Sequence, residues 1–253
     1  SDLRRQRQMC IRDSIWPGET SSGLGNIVNV NGVAYFRAED GTNGDELWRS
    51  DGTENGTYMV KDIWAGGDNS SNPGYLTKLG NEVLFVADDG VHGRELWKSD
   101  GTAEGTVLVK DIDVNDEGYD IVGQWTHHQD LLGESGTLFK HGNIIYFKAD
   151  NGTSGYELWR SDGTTDGTYL VKEIRAGDIG GIQGDFESFG DHFYFPADDN
   201  TGSGTELWRS DGTEEGTVLF KETYSGWQSG LSSPGRSIVC LLYTSDAADE
   251  GHC

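Results

Sequence analysis

ELWRSDGTENGTYMVKDI, Glu46 to Ile63, decides how this chain folds, because it is written four times. It returns as ELWKSDGTAEGTVLVKDI from Glu95, as ELWRSDGTTDGTYLVKEI from Glu157 and as ELWRSDGTEEGTVLFKET from Glu206. Trp48, Trp97, Trp159 and Trp208 stand 49, 62 and 49 residues apart, so the second interval carries a 13-residue insertion. Self-similarity at such a period marks a repeat architecture.

Working outward, each copy follows an aromatic run that reads as a strand: VAYFRAED from Val33, VLFVADDG from Val83, IIYFKADN from Ile144 and FYFPADDN from Phe193. A shorter segment precedes each run, as in YLTKLGN from Tyr75 and TLFKHGN from Thr137, and ends in a Gly-Asn or similar pair that suits a tight hairpin. Four strands per unit result: a short strand, an aromatic strand, the ELW strand and a closing strand such as TYMVKDI. The repeat cores span about 24–63, 75–112, 137–174 and 185–223, with the insertion at 113–136.

Asp, Thr and the two glycines of DGTxxGT are turn chemistry: the Asp side chain accepts backbone N–H bonds, and Gly tolerates positive φ. If Asp51 to Gly56 form a symmetric loop, Ser50 faces Thr57, Trp48 faces Met59 and Glu46 faces Lys61. The same count sets Glu95 against Lys110, Glu157 against Lys172 and Glu206 against Lys221. Such cross-strand charge pairs contribute about 0.2–1 kcal/mol, and a one-residue bulge breaks them. Pro196 lies inside the fourth aromatic strand and is expected to interrupt it, since Pro suits an edge or bulge.

A small four-stranded sheet with apolar residues on both faces cannot bury itself, so neighbouring copies must stack. The expected fold is all-β: a β-propeller in which four four-stranded blades are seen, as a slice of a larger array. The recurring tryptophans are read as core between blades. These motifs resemble the ELWxxDGT repeat family over roughly Ile15 to Arg236. The resemblance implies propeller-like arrays in large bacterial extracellular or cell-surface proteins and carries over no catalytic residue. Copy four departs from it mildly, with Lys221-Glu222-Thr223 where the others have Lys, an acid and Ile.

Two stretches lie outside the pattern. Ser1–Ser14 and Ile238–Cys253 resemble translated sequencing-adapter DNA, and they are read as a non-native leader and tail around repeats at 15–237. All three cysteines, Cys10, Cys240 and Cys253, fall in these ends, so no disulfide framework, zinc knuckle or catalytic cysteine is expected inside. Ile15-Trp16 parallels Ile63-Trp64, which closes a repeat. The composition suits short strands and glycine turns, with 38 Gly, 8 Trp, 10 Tyr and 9 Phe against 4 Pro.

A formal charge of −24 disfavours nucleic acid and anionic membrane surfaces as partners, because both need clustered Lys and Arg. No run of about 18 apolar residues is available to span a membrane. The carboxylates either keep the surface solvated or supply oxygen ligands for calcium. Asp111, Asp113 and Asn115 alternate like the start of a calcium loop, although Asp116 and Val122 stand where an EF-hand needs Gly and Glu. The ADDG-type corners add Asp88, Asp89, Asp198 and Asp199, with turn chemistry as the competing reading. Trp125, His127, His128 and Asp130 in the insertion form a candidate ligand-binding platform, against an ordinary solvated loop anchored by Trp125.

No nucleophile with a base, metal-spaced histidines or phosphate-cradling loop stands out. The leading expectation is a non-catalytic binding or scaffold module of an extracellular repeat protein, with a glycan or protein ligand and calcium as its candidate cofactor. The alternatives are a polysaccharide-acting hydrolase with an acidic cleft and a purely structural calcium-binding repeat.

Overall fold

The computed structural model describes residues 15–16, 22–114 and 138–221. The chain divides into two compact units, Ser1–Asp111 and Ile112–Cys253. Within the first, blade 1 is β1 (Gly25–Val30), β2 (Val33–Glu39), β3 (Asp45–Ser50) and β4 (Tyr58–Lys61). Blade 2 is β5 (Gly74–Leu79), β6 (Glu82–Asp88), β7 (Arg94–Ser99) and β8 (Val107–Lys110). Within the second, blade 3 is β9 (Phe139–His141), β10 (Ile144–Ala149), β11 (Glu157–Ser161) and β12 (Tyr169–Lys172). Blade 4 is β13 (Glu187–Phe189), β14 (His192–Ala197), β15 (Glu206–Ser210) and β16 (Val218–Lys221). Each blade is an antiparallel meander in sequence order, and no helix occurs among the described residues. The fold is therefore all-β and of the β-propeller class, built from the four blades that the repeats announce.

The hairpins form where the glycines stand. Asn31 and Gly32 both have positive φ, +54° and +91°, in the turn from β1 to β2, while Gly80, Gly142 and Gly190 supply a single positive φ to the other three. A Phe–Trp pair sits across the two central strands of every blade: Phe36 with Trp48, Phe85 with Trp97, Phe147 with Trp159 and Phe195 with Trp208. In the first unit Trp97 and Phe85 of blade 2 pack with Tyr35, Leu47, Val60 and Ile63 of blade 1. In the second, Trp208 and Phe195 of blade 4 pack with Tyr146, Leu158 and Val171 of blade 3. Trp97 and Trp208 are thus core between blades, as the repetition suggested.

Two details of the ladders correct the sequence reading. Ser50 Oγ lies 2.6 Å from Thr57 Oγ1 and Trp48 does face Met59, but the register then slips, and Lys61 stands opposite Leu47 rather than Glu46. The same slip recurs before Lys110, Lys172 and Lys221, so none of the four expected Glu–Lys pairs forms across its ladder. The cause is one extra residue, Val60 in blade 1. This bulge turns Val60 into the core and swings the following lysine toward the next blade. Pro196, in turn, does not interrupt its strand: β14 runs through it, with Pro196 paired to Leu207. Its carbonyl accepts from Gln183 N at 3.0 Å, so its nitrogen points to that same side. β13 does not extend so far, and no ladder donor is needed there.

Candidate functional site

In an up-and-down blade, the corner between the two central strands and the connection to the next blade lie at one end. Among the described residues, the candidate calcium ligands Asp88, Asp89, Asp111, Asp113, Asp198 and Asp199 belong to that end of their blades. The repeated glutamate of ELW builds it. Glu46 is fully buried, and its carboxylate accepts from Ile63 N at 3.1 Å, Ser71 N at 3.0 Å and Ser71 Oγ at 2.6 Å, which ties the linker to blade 1. In the second unit Glu157 accepts from Ile174 N at 2.8 Å and Arg175 N at 3.0 Å. Burial pushes both carboxyls up to about 7 against these hydrogen bonds, and the neighbouring charges of Asp62 and Glu173 push the same way. These perturbed acids are buried where the linker crosses from one blade to the next.

The residue after the closing isoleucine covers the next corner. The Trp16 ring lies over Gly41 and the Trp64 ring over Gly90, each so close that a β-carbon on the glycine would collide with it. Arg175 takes that position in the second unit, and its guanidinium meets Asp198 Oδ2 at 2.7 Å and Asn200 Oδ1 at 3.3 Å. The corners themselves are turns closed by their own side chains. Asp40 Oδ1 accepts from Thr42 N and Asn43 N, Asp89 Oδ1 from Val91 N and His92 N, Asn151 Oδ1 from Thr153 N and Ser154 N, and Asp199 Oδ1 from Thr201 N. Hydrogen bonds from His92 hold the Asp89 carboxyl below the usual range against its partial burial, and the 2.8 Å contact to Asp89 Oδ2 raises His92.

The expected calcium ligands therefore sit as follows. Asp88 and Asp198 cap the turns at Gly90 and Asn200, and Asp89 and Asp199 close the corners. Asp111 is half-buried just past β8, and Asp113 is buried. Among the described residues, no group of three or more His, Cys, Asp or Glu is placed to hold a metal ion. Asn115 and the platform of Trp125, His127, His128 and Asp130 lie outside the described residues.

At the opposite end, the DGT loops join blade to blade. Lys61 Nζ donates to Thr106 O at 2.8 Å, Tyr58 OH donates to Gly101 O at 3.3 Å, and the Tyr35 hydroxyl presses on Gly101, where φ is +92°. The second unit repeats this: Lys172 Nζ donates to Thr217 O at 2.9 Å and to Glu214 O at 3.4 Å, and the Tyr146 hydroxyl presses on Gly212. Arg49 lies over Tyr58 and Arg160 over Tyr169, at 5.2 and 5.1 Å, stiffening the donor side. Inner hairpin tips also touch. Lys78 and Asn81 bond to Asn31 in the first unit, and His141 Nδ1 lies 3.0 Å from Ser188 Oγ in the second. The Ser–His contact has the position of a tip-to-tip joint.

Sequence reasoning missed the roles of Glu46, Glu157, Lys61 and Lys172. The available signal was their strict repetition: a solvated acid or base drifts between copies, whereas these do not.

No family model matches this sequence, and no curated protein matches it. Among solved structures, a puromycin hydrolase S511A mutant complexed with PGG is similar at 13% identity and a TM-score of 0.48, over 74% of this chain and 26% of that one. A thermostable family-43 glycoside hydrolase is similar at 12% identity and a TM-score of 0.37, over 79% and 72%. Prolyl oligopeptidase B from Galerina marginata is similar at 12% and 0.41, over 90% and 36%. The chain spans about a quarter of the length of the puromycin hydrolase. At these scores the likeness carries no argument about activity.

Proposed function

We propose that this chain is a non-catalytic binding or scaffold module of an extracellular or cell-surface repeat protein of the ELWxxDGT kind, presenting its corner loops to a glycan or protein partner. The observation that carries the reading is the contrast within each corner. The backbone is held by the same side-chain-to-N–H bonds in every blade, while the residues displayed change from Thr42-Asn43 to Val91-His92, Thr153-Ser154 and Thr201-Gly202. A rigid frame with varied tips is how repeat scaffolds build recognition surfaces. The repeated polar residues of the motif, meanwhile, engage in joining blades, which is the role expected of a scaffold.

Glycan and protein arrays probed with the intact chain test this. Binding that is lost on Val91→Gly with His92→Gly, while the fold persists by circular dichroism, supports it; arrays without any ligand sink it. Calcium at the corners is tested separately by thermal unfolding with calcium and with chelator. A rise of several degrees supports cation-bound corners, since a ligand of the folded state raises stability by mass action. An unchanged midpoint leaves them as hydrogen-bonded turns.

A further inference from the structure

Each buried glutamate reaches the corner of the following blade through the linker, at two points. In the first unit the Glu46 carboxylate holds Ile63 N and Ser71 N. The residue after Ile63 is Trp64, whose ring lies over Gly90, and the carbonyl of Ser71 accepts from Asp88 N at 3.0 Å. Asp88 Oδ1 in turn accepts from Gly90 N at 2.7 Å, so both gripped stretches end on one corner, that of blade 2. In the second unit Glu157 holds the N–H groups of Ile174, Arg175 and Gly181. The Arg175 guanidinium meets Asp198 Oδ2, the carbonyl of Gly181 accepts from Asp198 N at 2.9 Å, and Asp198 Oδ1 accepts from Asn200 N at 2.8 Å. The carboxylate stands one blade before its corner in both cases, and each chain of bonds lies within a single compact unit.

We propose that Glu46 and Glu157 are positioning residues for the recognition corner of the following blade, setting through the linker backbone where the covering side chain and the Asp cap of that corner stand. A buried N–H must keep an acceptor, and here the acceptor is a carboxylate, which makes the bond strong and directional. A linker that loses it shifts to find another, and Trp64 or Arg175 and the carbonyl on the Asp cap shift with it. The grip repeats between units while the side chain it aims does not: an indole covers the corner of blade 2, and a guanidinium that of blade 4. This rests on the reading that the corners are the recognition surface and adds its control, since one blade adjusts the surface of the next.

Amide hydrogen exchange on the intact chain, resolved by residue, tests this without a ligand, so arrays that capture nothing sink the recognition reading and leave this result to stand by itself. Glu46→Gln keeps the shape of the side chain and loses its charge and one acceptor. The expected result is exchange about tenfold faster at Asp88, Gly90, Val91 and His92. Thr42 and Asn43, in the corner of the blade that carries Glu46, keep their rates. Glu157→Gln acts in the same way on Asp198, Asn200 and Thr201 and spares Thr153 and Ser154. A merely structural role would loosen the mutated blade first, or the whole unit evenly. Should Glu46→Gln misfold, Ser71→Ala removes the linker hydroxyl from Glu46, leaves the carboxylate in place and is read at the same amides. Unchanged exchange at the following corner, or equal quickening in the mutated blade's own corner, overturns the proposal.

Discussion

Glu46 and Glu157 sit out of water among N–H and O–H donors, and burial lifts both carboxyls to about 7. An acid with a folded-state pKa above its unfolded value binds more protons when folded, so stability falls as pH rises across that window. We expect the stabilising contribution of Glu46 and Glu157 to be full below pH 4.5 and to be lost as pH rises to about 7, whereas the aspartates held low by their hydrogen bonds, Asp51 and Asp100 among them, lose theirs only as pH falls below 3.8. Urea melts across this range check it. Glu46→Gln removes the contribution of that residue to the slope. It also costs about 1–3 kcal/mol at neutral pH, because the amide N–H₂ must face a buried donor. The glycines offer a second comparison. Gly101→Ala suffers both backbone strain and collision with Tyr35, whereas Gly52→Ala suffers strain alone. A double-mutant cycle of Gly101→Ala with Tyr35→Phe should return a coupling of about 0.5–3 kcal/mol, and zero coupling would deny the contact.

At the level of strands and corners, the bulge in each closing strand decides which neighbour the lysine meets. Lys61→Met keeps the stem and loses the bond to Thr106 O, so the chemical denaturation midpoint should fall while blade 1 keeps its strands. Trp64→Ala uncovers the corner at Gly90, and amide exchange at Val91 and His92 should quicken against β6, with unchanged protection there as the contrary result. Strand number, strand order and the inter-blade tryptophans were legible because alternation and repetition report them directly. The bulge was not, since a single extra residue leaves the pattern of YMVK and VLVK intact and shows itself only when the register is laid out. For the same reason Glu46 and Lys61 read as a cross-strand pair. Apart from the Ser71 hydroxyl, their true partners are backbone groups 17 to 45 residues away, and backbone has no letter in a sequence.

Over the whole molecule, a formal charge of −24 opposes compaction. Exposed like charges are screened within about 8–10 Å at physiological salt. Raising sodium chloride from low to moderate concentration should therefore raise the melting temperature, and a flat response would mean that the carboxylates are already neutralised where they stand. The acidic corners were placed correctly in the chain by their Asp and Gly spelling. The bond from Arg175 to Asp198 depended on the linker, and that from His92 to Asp89 on the fold of the corner itself, neither of which the spelling reveals.

The seams also bear on how such a chain is able to change over generations. Their ammonium and hydroxyl donors address main-chain carbonyls, at Thr106, Gly101 and Thr217, and ask of the facing loop only that a glycine be there. A main-chain carbonyl is the same whatever side chain it belongs to. Copies are therefore interchangeable modules: a gene can duplicate, delete or reorder them without inventing a new fit at each junction, while the corner tips vary from copy to copy.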